Sequence, residues 1–413
     1  MMSALAGISF TGKASAQNNT SPYSMIGIGD LEKSSFDRTT GMGHAGVALS
    51  SNRYMYQANP AAMAWLDEHF FQVELSGRYK DVNYYGTPIT DISQNRSNDL
   101  QIKKIAMAIK LRPKWTASAG LMPFSTSNYS FYGEKTIQGS NLSANAYYEG
   151  SGSTNLFYLT NSFSIGKHFS IGLQSSYLFG QLLERETLAM DASDSVLTTN
   201  RNIFIGKPYF RLGVQYKTRI NKNLGISAGA VAANKTQLHS DYGLTVIDGS
   251  STIINNEYYK SGFFTLPAMY TAGLAATLYD KYTFAVDYHY EGWSSLHTRG
   301  LSYSLEDSRR FSAGFEYSKK IFYQQQVYEP YFLQAGIFHN TGYLKMYGQQ
   351  LKDYGLTLGG GLQLARSGLG IQGALEVGSR GTTAKGLIKE NYTQFSFTIS
   401  YRDFWYTRAK KYD

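Results

Sequence analysis

The sequence contains no cysteine, which excludes a disulfide framework and any Cys-ligated metal and suits an exported chain in an oxidising compartment. Nowhere does it reach the ~18 consecutive apolar residues of a transmembrane helix, so a membrane crossing would have to be made by strands. Charge is sparse as well: Asp, Glu, Lys and Arg together make up 17% of the 413 residues. The formal net charge is +9, but no Lys/Arg-rich run or basic helix gathers it, so no nucleic-acid partner is expected. Catalytic signatures are missing too. The 7 His residues lack metal-ligand spacing, and no Ser stands in a Gly-x-Ser-x-Gly elbow. We therefore expect no catalytic residues, no metal, no cofactor and no enzymatic activity.

What the chain has in excess is 34 Tyr, 23 Phe and 41 Gly, residues of strands and tight turns. From about residue 69 onward it alternates with period 2, because successive side chains on a strand point to opposite faces. Tyr282, Phe284, Val286, Tyr288 and Tyr290 fall on one face, and Thr283, Ala285, Asp287 and His289 on the other. The same holds for Phe311, Ala313, Phe315 and Tyr317 against Ser312, Gly314, Glu316 and Ser318, and for Phe395, Phe397, Ile399 and Tyr401 against Ser396, Thr398 and Ser400.

A soluble sandwich alternates in the same way, and the spacing of the breaks separates the two. Short polar turns fall at 112–115, 166–169, 220–223, 279–282, 319–326 and 366–369; longer polar stretches lie around 80–99, 133–152, 187–199, 239–254, 293–307, 342–353 and 382–391. Short and long connections alternate throughout. Seven long and six short connections predict an all-β, 14-stranded antiparallel transmembrane β-barrel with its short turns on the periplasmic side of a Gram-negative outer membrane. A barrel of that girth encloses more space than its own inward side chains fill.

The stretch ahead of the barrel has another character. Residues 1–16 read as a signal peptide ending in the small-x-small pattern Ala14-Ser15-Ala16. Residues 17–68 are turn-rich and small-residue-rich, and 59–66 suit a short helix with Pro60 in its first turn. About 50 residues are too few for a confident domain of their own, so either this segment packs inside the barrel as a hatch or it hangs as a periplasmic tail. The barrel proper is assigned to 69–401 and a basic, aromatic extension to 402–413.

The stretch Gly41–Asp67, "GMGHAGVALSSNRYMYQANPAAMAWLD", followed directly by fourteen alternating segments, resembles the FadL-type outer-membrane transporters of hydrophobic compounds. In that family a small-residue stretch and an Asn-Pro-Ala element belong to an N-terminal hatch filling the barrel, which marks Gly41, Gly43, Gly46, Asn59, Pro60 and Ala61 as hatch residues here. The resemblance also implies that a kink in the third strand opens the wall sideways to an apolar ligand. Pro123 is the candidate for that lateral gate, and Pro267 marks a second interruption, in the eighth strand. A proline cannot donate to a ladder, so each breaks the pairing, and a simple bulge is the alternative at both.

Inward charges give the remaining signal. Asp287, His289, Glu316 and Glu376 lie on the polar faces of their strands, and Arg38 and Arg53 lie in the N-terminal segment. A wet lumen tolerates such charges unpaired; alternatively, arginine forks binding barrel carboxylates would hold the segment in register. The function expected is passive uptake of hydrophobic, fatty-acid-like small molecules with lateral exit. The alternative is a non-transporting barrel subunit of an outer-membrane secretion or assembly complex, with a protein partner at the C-terminal extension or the periplasmic rim. Outer-membrane lipid surrounds the barrel on either reading.

Overall fold

The computed structural model describes residues 21–86, 95–136, 143–189, 196–298, 300, 302–323, 326–364 and 368–404. The expected signal peptide lies outside them, as does most of the C-terminal extension. Fourteen antiparallel strands close into a barrel. These are β1 (Phe70–Tyr85), β2 (Arg96–Arg112), β3 (Trp115–Thr136), β4 (Ser143–Ile165), β5 (Phe169–Ala189) and β6 (Val196–Arg219). They continue as β7 (Leu224–Ala233 with Thr236–Asp248), β8 (Ser251–Leu266 with Met269–Leu278), β9 (Tyr282–Glu291) and β10 (Ser308–Tyr323). The last four are β11 (Gln326–Met346), β12 (Gln349–Gln363), β13 (Leu369–Gly381) and β14 (Lys389–Phe404). Closure runs from Lys389 opposite Tyr85 to Phe404 opposite Phe70, so the cylinder has no end strand to expose to lipid.

The alternation is inverted relative to a soluble protein. Tyr282, Phe284, Val286 and Tyr288 are 39–49% exposed, whereas Asp287 between them is 6% exposed. Apolar side chains face outward and polar ones inward, the arrangement in which strands bury their polar groups away from hydrocarbon. Near the short turns the outer face carries aromatic pairs, with Phe169 against Tyr216 at 4.7 Å and Tyr282 against Tyr317 at 5.5 Å between ring centroids. Such a girdle fits the headgroup level of a bilayer.

Several sequence expectations need adjusting. The stretches around 239–254 and 342–353 are mostly strand: β7 reaches Asp248 and β8 starts at Ser251, while β11 reaches Met346 and β12 starts at Gln349. Polar residues there end the apolar alternation without ending the ladder, since backbone pairing needs no oily face. Positive φ at Gly249 and at Tyr347–Gly348 makes such two-residue turns feasible. At the other end, β14 continues past 401 to Phe404. Pro267 lies between the two halves of β8; without an N–H it stops the ladder at Leu266 opposite Thr236, and pairing resumes at Met269 opposite Ala233.

Candidate functional site

Residues 21–68 make contact after contact with inward side chains of the barrel. Three short 3-10 helices, Pro22–Met25, Arg38–Met42 and Pro60–Trp65, order them. The third has both features of a helix start. Asn59 Oδ1 accepts the Ala61 N–H at 2.9 Å, and Pro60 occupies the first turn. Asn59 Nδ2 donates to Val47 O and Val214 O at 2.8 and 3.0 Å, and Ser162 Oγ donates to Pro60 O at 2.6 Å. One asparagine thus caps a helix, ties two parts of the segment together and anchors both to β6.

The glycines have the same logic. Gly43, at φ 64°, ends the second helix; its N–H donates to Thr357 Oγ1 at 2.8 Å, and that hydroxyl donates to Gly41 O at 2.9 Å. Gly46 N and Val47 N both donate to Asp287 Oδ2, at 2.6 and 2.9 Å. A Cβ on Gly41 would come 2.8 Å from Gly359 Cα, and one on Gly46 would strike Thr39.

The expected charge pairs form in part. Arg38, buried, forks Glu316 through Nε and Nη2 at 2.8 and 2.7 Å and Glu329 through Nη1 and Nη2 at 3.0 and 2.5 Å, with its guanidinium over Tyr54 and Phe332. Glu376 meets His44 Nε2 at 2.9 Å instead of an arginine. His289 is held by Thr271 Oγ1 at 2.7 Å and Glu291 at 3.2 Å and does not reach the segment's charges. Arg53 has no carboxylate at ion-pair distance among the described residues: its carbonyl accepts from Arg402 at the short-turn end of the barrel. Arg38 is thus brought together with barrel acids and Arg53 is not.

The sequence reading missed a second set of pairs, of opposite polarity, in which acids of the segment meet barrel cations. Asp30 is forked by Arg380 with both bonds at 2.7 Å, and Glu32 meets Arg78 at 3.1 Å and Lys103 at 3.5 Å; beside them Lys33, with the same polarity as Arg38, meets Asp353. Burial pushes the Glu32 carboxyl up, but Arg78 and Lys103 outweigh it and hold the group at about 2. No periodicity marks these residues, because they lie on irregular backbone. A signal that was present went unread: Ala-Gly occurs at 228–229, 272–273, 313–314 and 335–336, one per strand in β7, β8, β10 and β11. A Cβ on Gly229 would lie 2.1 Å from Val47 O, and one on Gly336 would lie 2.2 Å from Gly43 N. These glycines let the segment's backbone approach the wall.

Pro123 lies where the wall changes. The β2–β3 ladder runs from Arg112 opposite Trp115 to Ile105 opposite Leu121 and goes no further, although β2 continues to Arg96 and β3 to Thr136. Beyond Pro123 the freed edge of β3 pairs with the N-terminal segment: Leu31 faces Ser125, Asp30 faces Thr126, and Ser21 N donates to Asn128 O at 2.8 Å. Gly29, at φ 90°, sits so close that a Cβ would fall 2.4 Å from Thr126 O. Beside this seam is a cavity of ≈ 260 Å³. Pro123, Phe124, Leu156, Tyr209, Leu266 and Trp293 form its apolar side, and its polar side includes Asp30, Glu32, Arg211, Asp287, Arg310 and Arg380; Pro267 lines it too. Trp293 is fully buried and stacks on Tyr343 at 4.5 Å.

Solved structures share this fold at low identity. A toluene transporter, TbuX, of Ralstonia pickettii is 14% identical over 89% of this chain and 97% of its own, with a TM-score of 0.57. A FadL homologue of Pseudomonas aeruginosa is 12% identical over 92% and 100%, at 0.59, and the toluene transporter TodX of Pseudomonas putida is 15% identical over 92% and 100%, at 0.59. At such identities they establish the architecture, which is the one the FadL-type resemblance implied. Among curated proteins none matches. The family model described as BamG matches residues 2–413, and the chain is an outer-membrane β-barrel that belongs to the BamG family.

Proposed function

We propose that this barrel takes up small hydrophobic molecules and releases them sideways into the membrane through the seam between β2 and β3, with residues 17–68 as its hatch. The observation that carries this reading is the coincidence of seam and cavity: the ladder stops beside Pro123, and Pro123 lies on the apolar side of the chamber. Sideways release suits such a cargo, since carrying it through water costs ~25 cal/mol per Å² of apolar surface. Asn59, Pro60 and Ala61 anchor the hatch, Gly41, Gly43 and Gly46 allow it close to the wall, and residues 21–32 must leave the β3 edge for the seam to open. The toluene transporters among the structures of like fold make a small hydrocarbon the first cargo to try.

The test uses the absence of cysteine. Leu31 and Ser125 face one another across the short ladder, so Leu31→Cys with Ser125→Cys gives a chain with one disulfide at the seam. Cells carrying the oxidised protein should take up radiolabelled toluene no faster than cells without it, and reduction should restore uptake. Equal uptake in both states sinks the sideways route.

The second reading, a barrel subunit of a secretion or assembly complex without cargo of its own, gains support from the basic character of the short-turn end. A hydrocarbon bound in the chamber of the purified barrel would favour the first reading, and a stoichiometric protein partner the second.

A further inference from the structure

At the short-turn end, the periplasmic side of an outer-membrane barrel, residues 49–56 and the inner ends of β6 to β11 enclose a vestibule of ≈ 900 Å³. Six cations line it, Arg38, Arg53, Lys167, Lys217, Arg219 and Lys320, against three acids, Asp280, Glu316 and Glu329. The acids are already engaged: Glu316 and Glu329 by Arg38, and Asp280 by Arg219 at 2.6 Å. Arg53, Lys167, Lys217 and Lys320 have no carboxylate at ion-pair distance among the described residues. Lys217 rests over the Trp65 ring at 3.8 Å, which accommodates a cation without neutralising it. The turns around the mouth continue the sign, with Arg112, Lys114, Lys222 and Lys281 against Asp280.

We propose that this vestibule is a docking site for an acidic, extended segment of a periplasmic partner protein. Charge complementarity selects the occupant. Uncompensated cations in a concave site with low-dielectric walls focus their field on whatever enters from water. The chain's own C-terminus does not qualify, because Arg402, Arg408, Lys410 and Lys411 outnumber Asp403 and Asp413 there. Nor does phospholipid fit as well: these four cations line the inside of the cylinder, whereas headgroups ring its outside. The inference is independent of any hydrophobic cargo, since the vestibule lies at the opposite end of the N-terminal segment from the seam.

The full-length barrel in detergent micelles, titrated with a fluorescein-labelled hexaglutamate peptide and followed by anisotropy, tests it. Binding should saturate at one peptide per barrel and weaken steeply with salt. Lys167→Glu with Lys320→Glu should lower affinity by about tenfold or more, whereas Lys352→Glu with Lys385→Glu, exposed at the opposite, long-loop end of the barrel, should leave it within about twofold. The milder Lys320→Gln, which leaves fold and net charge nearly intact, should weaken binding in the same direction. Equal losses from both double variants, or no saturable binding, would overturn the proposal. So would displacement of the peptide by phosphatidylglycerol nanodiscs, which would move the site to the membrane.

Discussion

Arg38 illustrates what a single residue does here. Its guanidinium is buried and answers two buried carboxylates. Arg38→Ala would leave Glu316 and Glu329 without a counter-charge, and breaking a buried pair from one side costs about 3–5 kcal/mol. The detergent-solubilised variant should melt well below the parent protein, whereas Arg53→Ala, with no carboxylate partner, should stay within about 0.5 kcal/mol. An Arg38→Ala melt that overlays the parent's would remove this pair from the account of register. Glu32 yields a pH dependence. Its folded pKa of about 2 lies below the ordinary carboxylate value, so its stabilisation is complete above that ordinary value and is lost as pH falls through the folded one. The Tm difference between the protein and Glu32→Gln should therefore be constant above about pH 5 and close toward pH 2. A difference that persists there would show that Glu32 is not held by charge. Period 2 made Glu316 and Glu376 legible as inward residues. Glu329 was not, because it follows directly on the stretch 319–326 that reads as a turn, in which β10 in fact runs to Tyr323 and β11 starts at Gln326.

At the scale of elements, the third 3-10 helix and the strands behind it fit each other through missing side chains. Gly172 of β5 and Gly213 of β6 are cross-strand partners; a Cβ on Gly172 would lie 2.3 Å from Pro60 C, and one on Gly213 would lie 2.1 Å from Asn59 Oδ1. Gly213→Ala should cost about 1–3 kcal/mol of overpacking and speed hydrogen exchange over residues 59–65. Gly225→Ala, where the nearest atoms lie at 3.8 Å or beyond, should do neither. Should both variants exchange like the parent, the close approach is not what seats the helix. The Asn-Pro start of this helix was visible in sequence, because capping is a local property. Its contacts with β4, β5 and β6 were not, because they join residues 102 to 155 positions apart. The β2–β3 seam is similar: Pro123 announced a break, but only the fold supplies residues 21–32 as the partner that takes up the freed edge.

For the whole molecule the decisive property is a largely polar inner face, contacted by residues 21–68, inside an apolar outer surface. The intact barrel should be nearly silent in a planar bilayer, and a variant lacking residues 21–66 should conduct. Porin-like conductance from the intact chain would contradict the proposed hatch. The sequence by itself determined the strand count, the face each strand turns to the membrane and two positions, Pro123 and Pro267, at which a ladder hydrogen bond must be missing. All three follow from period-2 alternation, turn spacing and proline's missing N–H, which are local properties of the backbone. Only the tertiary structure decided which charges pair, why Asp30, Glu32 and Lys33 matter while Arg53 stands apart, and that Pro123 and Pro267 line one chamber. Those facts depend on distances between residues hundreds of positions apart, set by barrel closure and by how the N-terminal segment lies against the inner wall, and no local pattern encodes them.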